Sequence, residues 1–132
     1  MKKLLIAVFS IVFTLSLLSF VAPPVKKAWD IPAKYKSMVN KSKGKADAIK
    51  TGKDLYVKNC RSCHGVAGKG DGPKAASLKT KVSDLTTKEF KALPDGEKYY
   101  MSIVGRDEMP NSEKKITEED ERWAIISYLE TL

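Results

Sequence analysis

Residues 60 to 65 read CRSCHG, and this stretch holds both cysteines and the only histidine of a 132-residue chain. Two thiols at C-x-x-C spacing lie about one helical turn apart and project on the same side. An imidazole follows directly. The fold must therefore bring that side of the turn to something that uses two sulfurs and one nitrogen together. Three uses compete. A thiol–disulfide pair wants a strand–loop–helix context in which a helix N-terminus lowers a thiol pKa. Cys60 instead ends a helical pattern, and no strand precedes it. A structural zinc ion wants four ligands, usually as two pairs, and one cluster of three falls short. Covalent haem attachment needs two thiols for the two vinyl groups and one histidine for the iron, all local. Cys60, Cys63 and His64 supply that set without any other Cys or His.

The rest of the chain makes such an anchor useful. Past residue 46 only 86 residues remain, with few large apolar side chains. A domain of that size is marginal on its own core. A covalently held cofactor would become the middle of the core.

Residues 1–22 read MKKLLIAVFSIVFTLSLLSFVA, two lysines followed by 19 residues without a charge. That is the pattern of an export signal. At about 1.5 Å per residue a helix over this run spans roughly 28 Å, enough for a bilayer core. A small-residue cleavage site is poorly formed, with Phe20 at −3 and Ala22 followed by Pro23. Residues 1–22 are thus expected to be an export signal or a retained N-terminal membrane anchor. Either one carries the rest of the chain across a membrane. Residues 23–46, with three prolines and seven lysines, read as a tether. Trp29, Ile31, Tyr35 and Met38 leave open the alternative that this segment packs back on the domain. The domain itself is expected over 47–132.

The formal net charge is +8 and is unevenly spread. Residues 26–88 carry 16 Lys or Arg against 5 Asp or Glu, and residues 89–132 carry 6 against 11. Such polarity orients encounters with an oppositely charged surface. Nucleic acid is not the expected partner. The lysines are scattered, aromatic residues do not interleave with them, and an exported protein rarely meets nucleic acid.

Helical periodicity predicts a first helix over 47–60, with Ile49, Leu55 and Tyr56 near one face. Gly52 sits in its middle, at a cost of about 1 kcal/mol relative to alanine, which a close helix–helix approach would offset. Residues 65–73, GVAGKGDGP, form a loop. A short helix runs from 86 or 87 to 93 and is broken by Pro94-Asp95-Gly96. A third spans 97–104 and stops at Gly105. Residues 106–116 are irregular, with Met109-Pro110 at their centre. The last helix starts near Thr117, which can cap it, and Glu118, Glu119 and Asp120 suit its positive end. Ile125, Tyr128, Leu129 and Leu132 form its apolar face. No strand is predicted.

In this order of features the chain resembles the class I c-type cytochromes, the small monohaem bacterial kind, over roughly residues 47–132. Gly52 and Tyr56 precede CRSCH with the glycine–aromatic spacing of that family's first helix, although phenylalanine is commoner at 56. GKGDGP follows the motif as in many bacterial members. IVGRDEMP is similar to the loop that carries the second iron ligand, and RWAIISYL to the terminal helix that crosses the first. The resemblance implies an all-α cytochrome c fold, three to five short helices around one covalent haem c, with the N- and C-terminal helices crossing. It implies that Cys60 and Cys63 bind haem covalently, that His64 is the proximal ligand and that Met109 is the distal one. It also implies that the Pro73 carbonyl receives the second ring nitrogen of His64. Arg106, Lys79, Tyr99 and Trp123 are candidates to meet the haem propionates, Tyr99 and Trp123 being equally explained as core.

Met109 stands out from the chain's other methionines. Met1 initiates, Met38 lies in the predicted tether, and Met101 falls inside a helix at a packing position. Met109 alone sits in a polar loop where packing gives no reason for it. His/Met ligation raises the haem potential and leaves no open iron position, so the expectation is electron transfer. The alternative is a haem-based enzyme or ligand sensor in which the distal Met is labile or absent. The expected partners are redox proteins with an acidic docking surface, met by lysines such as Lys58, Lys69 and Lys74, and a membrane if residues 1–22 are retained. No small-molecule substrate, catalytic acid–base pair or nucleic-acid partner is expected. The expected location is the bacterial periplasm or the outer face of the inner membrane.

Overall fold

A computed structural model describes residues 28–132, so the expected export signal or anchor over 1–22 lies outside the described residues. Six α-helices follow in order: α1 (Ala33–Lys36), α2 (Ala46–Asn59), α3 (Arg61–His64), α4 (Lys88–Lys91), α5 (Asp95–Tyr99) and α6 (Glu119–Leu129). A 3-10 turn spans Ala75–Ser77, and α5 continues directly into a π-helical turn over Tyr100–Val104. Among the described residues there is no strand, only an isolated bridge between Arg106 and Met109. The two helices beyond the sequence expectation are α1, ahead of the predicted domain, and α3, which is the CRSCH turn itself.

The architecture rests on α2 against α6, the most extensive helix pair. Gly52 makes that contact possible: a Cβ built on it would lie 2.0 Å from the Ala124 carbonyl oxygen. Backbone therefore meets backbone, and the mid-helix glycine has its reason. One turn on, Tyr56 is fully buried and its ring lies against Tyr128, centroids 5.3 Å apart. The core joins these rings to Leu85, Phe90, Tyr99, Ile103, Ile116, Trp123 and the apolar residues of α6.

Element ends follow local chemistry. Thr87 caps α4, its side-chain oxygen accepting from the Phe90 N–H at 3.3 Å. That helix stops at Lys91, with Ala92 as its C-cap, two residues short of the expected 93, and Pro94 begins the next one, which opens at Asp95 and not at 97. Proline is compatible with a helix start because its missing N–H would have no intrahelical partner there. Gly105 stops the chain after Val104 at φ +69°. Thr117 does not cap α6. The N-cap position is Glu118 without a side-chain cap, and Thr117 Oγ1 turns to Glu118 instead. The entry is held from inside the helix: Arg122 Nη1 donates to the carbonyls of Ile116 and Thr117, both at 2.7 Å, and its Nε to the Tyr99 hydroxyl at 2.6 Å.

The predicted stripe of α6 is also too narrow. Ile125, Tyr128 and Leu129 are buried, and so are Trp123, Ala124, Ile126 and Ser127. The helix is covered on its second side by the segment expected to be a tether. From residue 28 on, that segment is packed. Ile31 and Asn40 are buried. Asn40 Nδ2 donates to the Trp123 carbonyl at 3.3 Å and to Ser127 Oγ at 3.0 Å, and Ser127 Oγ donates to the Ser42 carbonyl. The Asn40 N–H donates to the Asp95 carboxylate at 3.1 Å. Tyr35 lies against Tyr99 and Tyr100. Buried polar groups matched this closely fix a backbone in place, which a lysine- and proline-rich composition does not reveal.

Candidate haem-binding site

α2 delivers its last turn to the motif. The N–H of Cys60 donates to the Tyr56 carbonyl at 2.8 Å, and Cys63 and His64 both donate to the Cys60 carbonyl. The motif thus forms one helical turn, α3, that sets Cys60, Cys63 and His64 on neighbouring positions. Gly65 ends it with φ +80°, a conformation that L side chains rarely adopt. The Gly65 carbonyl accepts from the buried Tyr56 hydroxyl at 2.7 Å. The exit from the motif is therefore tied back to the helix that enters it.

The following loop wraps the turn. Gly70 N–H donates to the His64 carbonyl, Gly72 N–H to the Cys63 carbonyl and Lys74 N–H to the Ser62 carbonyl, all between 2.9 and 3.1 Å. These bonds fall on either side of Pro73. The expected bond from His64 to the Pro73 carbonyl is not made: His64 Nδ1 is buried and has no hydrogen-bond partner. The loop reaches the motif through its N–H groups on the motif's backbone.

The thiols and the imidazole have the character of ligands waiting for a group. Cys60 and Cys63 are free and partly buried. Burial, and then the neighbouring Cys63, pushes the Cys60 thiol up to about 11, while Lys115 acts in the opposite direction. A redox-active dithiol needs the reverse, a thiol with lowered pKa, so the thiol–disulfide reading fails on electrostatics as well as on fold. Burial lowers the His64 pKa, partly opposed by the Ser83 backbone bond, which favours the neutral ring that binds metal. No cluster of metal-ligating side chains suited to a zinc ion occurs among the described residues. Two free thiols and a neutral imidazole on one helical turn fit covalent haem.

The family model for cytochrome c matches residues 49–132, well over half of the chain. This chain belongs to the cytochrome c family. A comparison with curated proteins gives no match. As a cytochrome c it holds covalent haem c and is a haem-binding electron-transfer protein with an all-helical fold. The match begins within α2, so the packed segment over 28–45 lies ahead of the family domain.

The remaining expected site residues divide by position. Met109 is half-buried in a tight turn whose N–H donates to the Arg106 carbonyl at 2.9 Å. It stands on a separate loop from the cysteine turn. Tyr99 and Trp123 are core residues of this cytochrome c, buried with rings 4.6 Å apart. Their polar ends are occupied by Arg122 and Glu119. Arg106 stacks on Trp29 and donates to the Ala28 carbonyl. Lys79 contributes its backbone N–H to Glu108. Glu108 has no place in the sequence expectation. Its carboxylate accepts from the N–H groups of Lys79 and Thr80 at 3.1 and 2.7 Å, joining the Met109 loop to the loop across from it. Its adjacency to Met109 was the only available signal, and a glutamate in a polar loop is ordinarily solvated.

Proposed function

We propose that this cytochrome c is a one-electron carrier in an exported respiratory-type chain, with haem c attached at Cys60 and Cys63 and ligated by His64 and Met109. The observation that carries the attachment is the single helical turn that sets two free thiols, Cys60 and Cys63, beside His64. Haem supplies the Fe(II)/Fe(III) couple when bound. The chain's residues hold and shield it. Tyr56 locks the motif's exit, the 65–74 loop wraps the turn, and α6 closes against α2. Support for Met109 is its half-buried place in an otherwise polar loop, where core packing gives no reason for a methionine. With a closed iron the protein needs no substrate pocket.

Lys58, Lys69 and Lys74 are exposed on and beside the motif, and an acidic face on the redox partner would suit them. The pattern of residues 1–22 supports export to the bacterial periplasm or retention on the outer face of the inner membrane. Among the described residues no helix is long and apolar enough to cross a membrane, and the anchor in this reading is the apolar run of residues 1–22.

Spectra of ferric wild-type protein and a Met109→Ala variant test the ligation. A weak far-red absorption band that marks sulfur–iron bonding is expected in the wild type and absent from the variant. A wild type without that band, binding added ligands freely, points to the haem enzyme or ligand sensor.

A further inference from the structure

We propose that the segment ahead of the family domain braces the Met109 loop, with Trp29 as a positioning residue for that methionine; this rests on Met109 being the distal ligand. Arg106 and Met109 close a four-residue turn through their bridge and the Met109 N–H bond to the Arg106 carbonyl at 2.9 Å. Between them Asp107 holds φ +52°, the one non-glycine residue with positive φ among the described residues. Gly105 lies so close beneath the turn that a Cβ there would sit 2.3 Å from the Met109 carbonyl oxygen. A turn this tight moves as a unit, so what fixes Arg106 also fixes Met109.

Arg106 is fixed from outside the turn by residues 28 and 29. Its guanidinium carbon lies 3.9 Å from the centre of the Trp29 ring, and Nη1 donates to the Ala28 carbonyl at 2.9 Å. Trp29 is itself held, edge-on to Tyr100 at 6.2 Å, and Tyr100 packs on Tyr35 of α1 at 4.8 Å. Ile31 then buries itself two residues on. On the opposite side Glu108 grips the backbone of Lys79 and Thr80. The Met109 turn is thus held from two sides, and one of the two belongs to chain that precedes residue 49. Displacing Met109 from iron requires the turn to move, and the Trp29–Arg106 stack resists that movement.

The test uses haem-loaded, full-length protein and imidazole as the competing ligand. Trp29→Ala is expected to raise imidazole affinity of the ferric form about two- to fivefold, the range for a cation–π contact at a partly exposed site. The backbone amides of residues 105–109 should exchange hydrogen faster in the same variant. Trp29→Phe keeps an aromatic face under the guanidinium and should restore most of both properties. Thr87→Ala, which removes the α4 cap far from this turn, should lower the melting temperature and move neither. The proposal is overturned if Trp29→Ala leaves imidazole affinity and exchange at 105–109 unchanged, or if Thr87→Ala shifts them equally. If Met109→Ala keeps the far-red band, the ligand assignment itself fails and takes this inference with it.

Discussion

The Gly52 Cα faces the Ala124 carbonyl so directly that the smallest side chain would place a carbon 2.0 Å from that oxygen and 2.5 Å from its carbonyl carbon. Neither atom belongs to a flexible side chain. Gly52→Ala must therefore separate α2 from α6. The helix-propensity gain of about 1 kcal/mol is outweighed by overpacking of about 1–3 kcal/mol together with the lost contacts along the pair. The urea midpoint of the haem-loaded protein should fall. An unchanged or higher midpoint would mean that the helices part without cost.

Tyr56→Phe isolates the hydroxyl. The ring keeps its packing on Tyr128, but the Gly65 carbonyl loses the donor at 2.7 Å. A buried acceptor left without a partner costs about 1–3 kcal/mol. The loss should appear in equilibrium unfolding, with the largest rise in amide exchange at residues 64–70.

The Lys98–Glu130 pair predicts an order of effects. The Lys98 side chain is 2% exposed, and its Nζ donates to Glu130 and to the Lys91 carbonyl. Glu130 is 22% exposed and also has Lys43 at 3.8 Å. Removing Glu130 strands the more deeply buried partner, a change that costs about 3–5 kcal/mol for buried pairs. Removing Lys98 leaves Glu130 with Lys43 and solvent. Thermal unfolding should therefore show Glu130→Ala to be more destabilising than Lys98→Met.

Acid stability should depend on Asp95. Burial pushes its pKa up, but the Asn40 N–H and the hydrogen bond and charge of Lys43 outweigh this and hold it below 3.8. A depressed carboxylate contributes its full stability above the unfolded-state pKa and loses it as pH falls through the folded-state value. Asp95→Asn should lower stability at neutral pH and flatten the decline below about pH 4. Equal slopes for both proteins in acid unfolding would contradict the role assigned to Asp95.

What was legible in the sequence was what depends on local chemistry. Gly105 declared its helix end, and Gly52 with Tyr56 the buried face of α2. CRSCH declared the cofactor because its chemistry needs nothing distant. The misreadings share the opposite cause. The segment over 28–45 was read first as a tether, with packing left open, because lysine and proline dominate it, while its order comes from Asn40 and Tyr35 meeting groups far along the chain. Seven consecutive buried positions in α6 could not be inferred from an amphipathic period once that segment covered the second face. Around Pro73 the contacts to the motif are made by the N–H groups of its neighbours Gly72 and Lys74, a backbone pairing that side-chain identity does not announce. Glu108 carried no pattern at all.

The most direct test of the central claim is the intact mass of the purified protein from a host that assembles c-type haem, measured before and after acid–acetone extraction. The account predicts the polypeptide mass plus one haem, unchanged by extraction, and loss of that increment when Cys60 and Cys63 are both replaced by alanine. A bare polypeptide mass, or haem that passes into the solvent, would contradict it.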